Sequence, residues 1–264
     1  MSTPLLVRMP DGGPVATIAT EVLASLPLSY AAAGGRTADV QLVDGAPDWP
    51  AALVAAARDG AAGLIVVDPG PADLLPLADL GATVVVDSVW AGNPAIEVAA
   101  PTLRAALVPG TRLECRAVVS TASDAGRVLL AQLTLVRRLA GPADGLTVLH
   151  RDGHGYLARG SAGGAALELT MTTTNALSEH ATVRLLTGDG GIELFLPAAD
   201  TARPAQVHLV GPDGDCQLPT LYESAHRTAW RRLHQLLIVG DSASDLDDLT
   251  DDLATLRAAG GSFS

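Results

Sequence analysis

The sequence predicts an α/β protein with two domains, residues 1–95 built around a parallel sheet and residues 96–264 an α+β domain with a predominantly antiparallel open sheet. Three observations lead there. Strand and helix signals alternate through the first domain, the pattern of a sheet covered by helices. A run of short strands joined by Gly-, Asp- and Asn-containing turns follows, and a long amphipathic helix and a last helix with an acidic start close the chain.

In order, "PLLVRM" is a strand, Pro10-Asp11-Gly12-Gly13-Pro14 a turn, and the apolar spacing of "VATIATEVLASL" fits a helix. "ADVQLVD" is a second strand ending at Asp44, "DWPAALVAAARDG" a helix closed by Gly60, and "AGLIVVDPG" a third strand. "PADLLPLADLG" is expected to be a helix closed by Gly81, and "ATVVVDS" a fourth strand. Strands that are apolar along their whole length are buried on both faces, so the first domain is small and Rossmann-like. Beyond a break at Gly92 to Pro101 come the strand "TRLECRAVVST" and the helix "DAGRVLLAQLTLVRRLAG". "GLTVLHRDG", "GYLARGS", "GAALELTMTTT", "HATVRLLTG", "GIELFLP" and "AQVHLVGP" then read as strands whose short turns make neighbours antiparallel. "TLYESAHRTAWRRLHQLLIVG" is a long amphipathic helix, "SDLDDLTDDLATLRAAGG" a last helix with an acidic start that suits its dipole, and "GGSFS" a frayed tail.

Composition narrows the function. The net charge of −12 argues against nucleic acid as a partner, because such binding needs a cationic patch. No apolar run approaches the ~18 residues of a membrane span, and "MSTPLLVRMPDGG" is too poor in apolar residues for a signal peptide, so no membrane partner and a cytoplasmic location are expected. The chain contains no lysine, which excludes Schiff-base and lysine acid–base mechanisms. Cys115 and Cys216 form no CxxC pair and read as buried free thiols. The two histidines of "HRDGHGY" lie in a glycine-rich turn rather than on one helix face, so no metal site is expected. His226 and His234, beside Trp230, Arg231 and Arg232, read as surface or interface residues, and Asp245, Asp247, Asp248, Asp251 and Asp252 as a solvated helix face.

A dinucleotide fingerprint would belong in the first turn, where glycines let pyrophosphate approach a helix N-terminus. Gly12 and Gly13 are present there, but Pro10 stands where the first glycine would, Pro14 removes an amide donor, and Asp11 would face a phosphate. Asp44 is the candidate ribose-binding acid. Asp68, Pro69, Asp87 and Ser88 close the next two strands, and carboxyl ends of strands are where open parallel sheets bind ligands.

The order of elements resembles the Gfo/Idh/MocA oxidoreductases, NAD(P)-dependent dehydrogenases of sugars and polyols. "GATVVVDS" looks like the family's strand ending in Glu-Lys-Pro, "VRLLTGDGGIELFLP" like its Gly-Thr-x-Gly strand pair, and "YESAHRTAWRRL" with "SDLDDLTDDLATLRAA" like its closing helices. In the family a lysine after that strand exchanges a proton with the substrate hydroxyl; here Ser88 stands in its place, beside Asp87. The family's helix histidine is also absent, Thr134 and Arg137 being the nearest matches. The resemblance thus marks Asp87, Ser88 and Thr134 as the catalytic positions, and Gly12, Gly13, Asp44, Asp68 and Pro69 as the contacts of a nucleotide if one binds. It implies a non-redox pseudoenzyme without a cofactor, a partner subunit or small-molecule binding protein. Pairing with itself or with an active relative would use the second domain's open sheet, where Leu, Val and Ile between Gly164 and Pro197 would supply an apolar face. The alternative is an active NAD(P)-dependent dehydrogenase, or a cofactor-free lyase or isomerase, on a sugar-like or polyol substrate with Asp87, Asp68 or a histidine as base.

Overall fold

A computed structural model describes residues 3–198, 201, 203–212 and 214–260; the expected frayed tail lies, from residue 261 on, outside the described residues. Contacts divide the chain into two compact units, Met1–Ser88 with Ala225–Thr250 and Val89–Ser224 with Asp251–Ser264.

The first unit contains β1 (Leu5–Arg8), α1 (Gly13–Ser25), β2 (Tyr30–Ala32), β3 (Val40–Asp44), α2 (Trp49–Arg58), β4 (Gly63–Val67) and β5 (Thr83–Asp87). All five strands are parallel, in the order β2-β1-β3-β4-β5. Helix α5 (Ala225–Val239) returns to this sheet, against β4, β5 and α1, so the unit is discontinuous where the sequence pattern assigns everything after residue 95 to the second domain. The cause is its apolar stripe. Ala229, Trp230 and Leu233 pack with Val15, Ala19 and Val22 of α1 onto Val7, Leu42, Ile65 and Val85 of one sheet face. The Tyr30 hydroxyl donates to the Trp230 carbonyl at 2.7 Å, and the two rings meet edge to face at 5.1 Å. Gly63 allows the close approach, since a Cβ there would meet Leu237 at 2.8 Å. Helix α2 buries Trp49, Leu53 and Ala56 and contacts β3 and β4.

Two first-unit elements differ from expectation. "PADLLPLADLG" forms only a single 3-10 turn, Leu75–Leu77, because Pro76 can neither donate the backbone bond nor fit beside the preceding turn of an α-helix. Strand β2 is only three residues long, too short to show a period.

The second unit holds α3 (Ala95–Ala106), β6 (Arg112–Val119), α4 (Ala125–Ala140) and seven further strands, β7 (Ala143–Asp152), β8 (Gly155–Ala162), β9 (Ala165–Thr173), β10 (His180–Leu186), β11 (Gly191–Pro197), β12 (Gln206–Gly211) and β13 (Gly214–Gln217). Their order is β13-β12-β11-β10-β6-β9-β8-β7, antiparallel throughout except that β6 and β9 run parallel. Helix α3 arises where the sequence pattern shows a break. Asn93 accepts from the Ala95 N–H at 3.0 Å, and Ile96, Ala99, Ala100 and Leu103 form a buried stripe despite Pro101. Helix α4 starts on Asp124, whose carboxylate accepts from the Arg127 N–H at 2.7 Å. Helix α6 (Asp245–Ala258) begins in the first unit and ends in the second.

Leu167, Leu169, Val183, Leu185, Ile192 and Leu194 are all buried, so the strands from Gly164 to Pro197 do not present the expected exposed apolar face. Alternation puts Arg112, Glu114, Glu168, Arg184 and Glu193 on the other side. There Arg112 and Arg159 meet Glu168 at 2.8 and 2.9 Å, and Arg184 meets Glu193 at 3.2 Å. Inside, Gln132 of α4 donates to the carbonyls of Cys115 and Thr170 and accepts from the Tyr156 hydroxyl. Burial pushes the Cys115 thiol up to about 12, which keeps it protonated, whereas Cys216 is exposed, contrary to expectation.

Because Trp230 ties α5 to both α1 and the sheet, Trp230→Ala should cost about 3–5 kcal/mol, read as a lower urea midpoint of unfolding.

Candidate functional site

Ligand-binding edges of parallel sheets lie at the carboxyl ends of the strands. In the first unit the loops after β3, β4 and β5 are stitched together there. The Gly45 N–H donates to Val67 O, the Gly70 N–H to Gly45 O and the Asp68 N–H to Asp87 O, each at 2.8 Å. The Trp49 indole N–H donates to Gly70 O at 3.0 Å. Asp68 and Pro69 sit in this stitched layer, with Asp68 at φ 45°, a left-handed conformation that aspartate adopts more readily than most residues. Asp44 turns its carboxylate to the Ala46 N–H at 3.0 Å, so it shapes the turn that leads to α2.

The β1–α1 turn is open. Nothing lies within 4 Å of a Cβ at Gly12 or Gly13, and Gly13 has the φ of 85° that favours glycine. Other features do not fit a nicotinamide dinucleotide. Pro14 occupies the first turn of α1 and withholds an amide, and Asp11 is exposed beside it. The ribose acid of that fold belongs about 20 residues beyond the glycines, at the end of the strand flanking β1. That strand is β2, which ends in Ala31 and Ala32, while Asp44 lies on β3, on the opposite side of β1. Arg36, in the loop after β2, is of the type that can accommodate a ribose 2′-phosphate.

At the end of β5 the Asp87 carboxylate, 0% exposed, meets Nδ1 of His226, 5% exposed, at 2.9 Å. Ser88 beside it is also buried. Burial pulls the His226 pKa down, but the negative charges of Asp87, Asp68 and Glu21 and the Asp87 hydrogen bond outweigh it, so the imidazole titrates above its usual value. The second Asp87 oxygen, Oδ1, is buried and has no hydrogen-bond partner among the described residues.

His226 is the residue the sequence pattern misplaces. It lies four residues before Trp230 and seven before Leu233, on the buried stripe of α5 rather than among surface residues, and that spacing is the signal which could reveal it. The acidic run of α6 is not uniformly solvated either. Asp245 is buried and takes Arg232 Nη1 and the Val86 N–H, each at 2.8 Å. Asp252, also buried, takes Arg137 Nε at 2.9 Å and the Thr134 hydroxyl at 3.2 Å. Thr134 therefore belongs to a structural ion-pair cluster of the second unit, while Asp87 and Ser88 belong to the strand ends of the first. Among the described residues no group of three or more His, Cys, Asp or Glu is placed to hold a metal ion, and no helix is long and apolar enough to cross a membrane.

No protein-family profile matches the chain, and no curated protein matches it in sequence. Solved structures do match in fold. KijD10, a 3-ketoreductase from Actinomadura kijaniata crystallised with TDP-benzene and NADP, superposes with a TM-score of 0.75 at 14% identity, over 97% of this chain and 96% of that one. UDP-N-acetylglucosamine 3-dehydrogenase GnnA from Acidithiobacillus ferrooxidans gives 0.73 at 12% identity, over 98% of both chains. A putative NADPH-dependent oxidoreductase from Desulfitobacterium hafniense gives 0.75 at 9%, over 98% and 95%. The chain thus has an oxidoreductase-like fold, a Rossmann-like parallel sheet joined to a mostly antiparallel one, similar to that of sugar-nucleotide dehydrogenases and ketoreductases.

A Cβ on Gly45 would overlap the Pro69 Cα and crowd the Asp68 carbonyl. Gly45→Ala should therefore cost about 1–3 kcal/mol of stability in urea unfolding, through displacement of the β4–β5 loop layer.

Proposed function

We propose that this chain is a cytoplasmic, non-redox member of the oxidoreductase fold, a pseudoenzyme that serves as a partner subunit and holds a small polar ligand at the carboxyl edge of the first unit's sheet. One observation carries the reading. Where the resembling family keeps a proton-exchanging lysine, this chain has Ser88 and Asp87, both buried, with Asp87 already engaged by His226. A serine hydroxyl cannot take over the acid–base work of an amine near neutral pH. The missing ribose acid at the end of β2, Pro14 and Asp11 support the same reading, and two unpaired cysteines suit a reducing compartment.

Titration with NADPH and NADH, followed by intrinsic tryptophan fluorescence, should show no saturable quenching up to about 1 mM, within the range of ordinary substrate constants. UDP-N-acetylglucosamine with NAD(P)⁺ should give no reduced cofactor. Saturation at lower cofactor concentration together with turnover would end the non-redox reading.

Pairing is inferred to use the polar face of the second unit's sheet, where half-exposed Arg112, Arg184 and Glu193 offer charge of both signs rather than apolar area. A dimer held by such charges is screened by salt. Light scattering at micromolar concentration should therefore find a dimer that dissociates between about 0.1 and 1 M NaCl, and a monomer at low salt would refute this assignment.

A second reading, an active NADP-dependent dehydrogenase or a cofactor-free lyase or isomerase, is favoured by the carboxylate-held imidazole and by Arg36. Under it, His226→Gln would lower turnover by about 10²–10⁴, the contribution of a lost general acid–base.

A further inference from the structure

Four acid or imidazole side chains are buried among the described residues, Asp87, His226, Asp245 and Asp252. All four stand near points where the chain passes between its two units, which are Ser88 to Val89, Ser224 to Ala225 and Thr250 to Asp251. Asp87 is the second-last residue before the first exit from the first unit, and His226 is the second residue after re-entry. One hydrogen-bonded pair therefore fastens the strand by which the chain leaves this unit to the helix by which it returns. Around the third passage the pairs are Arg232 with Asp245 and Arg137 with Asp252.

The chemistry of the three pairs differs in one respect. A guanidinium keeps its charge at any pH a folded protein meets, so the two arginine pairs are permanent. An imidazole gains and loses its proton near neutrality. We propose that the Asp87–His226 pair is a protonation-dependent latch, closed when His226 is an imidazolium and loosened when it is neutral, which sets how firmly the first turns of α5 dock on the end of β5.

The acidic groups whose charge acts on His226 come from three elements packed against α5. Asp87 ends β5, Asp68 follows β4, and Glu21 lies on α1, and all three are acidic. Burial opposes the charged form but is outweighed, so the folded-state value lies above that of a free imidazole. A raised value means that the stabilisation is complete below about pH 6.5, the ordinary histidine value, and is lost as pH rises through the folded value. Release on the alkaline side leaves the buried Asp87 carboxylate with a neutral partner only. The latch operates whether or not the protein binds a nucleotide, and so does not depend on the function proposed above.

Amide hydrogen exchange of the full chain, corrected for the intrinsic pH dependence of exchange, tests this in peptides covering residues 224–234 and 83–90. Between pH 6 and pH 8.5 their protection should fall about tenfold for each pH unit separating the free and folded titration points. Peptides of α4, anchored through Arg137, should not change. In His226→Gln the same peptides should exchange faster at pH 6 and lose their pH dependence. Equal protection at both pH values in the wild-type chain, or an undiminished pH dependence in His226→Gln, would overturn the proposal. If that variant does not fold, the His226 ring proton followed by NMR in the wild-type chain decides: a midpoint above 6.5 that coincides with the exchange transition supports the latch, and a midpoint at or below 6.5 overturns it.

Discussion

Asp87 ends a strand with none of its surface exposed, and a carboxylate in that position needs a counter-charge or a set of donors to offset its lost hydration. β5 is flanked by β4 on one side only, and residue 87 is its last, so the sheet itself cannot supply that charge. It arrives from His226, 139 residues further along. The return of α5 to the first unit follows from two coupled requirements: Trp230 and Leu233 must cover Ile65 and Val85, and the helix must present an imidazole to the strand end. Gly63 makes the first possible by letting Leu233 and Leu237 approach the backbone of β4. Arg232, on the same helix, meets Asp245, whose carboxylate also caps the Val86 N–H on the open side of β5. A single helix thus neutralises two buried acids, and the far edge of the parallel sheet depends on it.

Much of this architecture is legible in the sequence because period and composition are local. The apolar strands β3, β4 and β5, the alternating strands β6 and β9 to β11, and helices α2, α4, α5 and α6 lie where the pattern puts them. The failures have separate causes. Pro76 defeats an apolar helical pattern, and a buried alanine-rich stripe overrides Pro101 in α3, which follows the turn where Asn93 accepts from the Ala95 N–H. Domain membership is not local at all. Nothing inside "SAHRTAWRRLHQLLIVG" says which sheet its stripe will cover, and the neighbouring Arg227, Arg231 and Arg232 make His226 look like part of a polar face. At the candidate site, Asp87 and Ser88 are visible as strand-end residues, while the histidine that fixes the chemistry of Asp87 is invisible until the chain is folded.

The same limit governs the nucleotide question. Gly12 and Gly13 leave open space at the first turn and Gly13 has a positive φ, features that a phosphate cradle would also need. A cradle is only one part of dinucleotide recognition, and the strand order decides the rest. With β2 outside β1 and β3 on its other side, Asp44 lies across the sheet from where a ribose acid belongs. A spacing count from the first turn makes Asp44 attractive; the strand order removes it. Fold similarity to solved oxidoreductase structures at 9–14% identity constrains the backbone far more tightly than these few side chains.

Buried ion pairs contribute little net stability compared with apolar contacts of similar size, but breaking one leaves a charge stranded in the interior, so they discriminate between correct and incorrect packing. That property suits the places where a chain changes units, since a helix docked one turn out of register would strand Asp87, Asp245 or Asp252. Lysine, absent from this chain, would satisfy such sites less specifically than a guanidinium, which binds both carboxylate oxygens of Asp245 at once. Imidazole is the exception in the set. It can hold only one oxygen of Asp87, leaving Oδ1 unmatched, and its hold depends on a proton. If fixing the fold were its whole task, an arginine would serve better. Histidine at position 226 is therefore best understood as a conditional fastening among permanent ones, placed where the chain first leaves the parallel sheet and first returns to it.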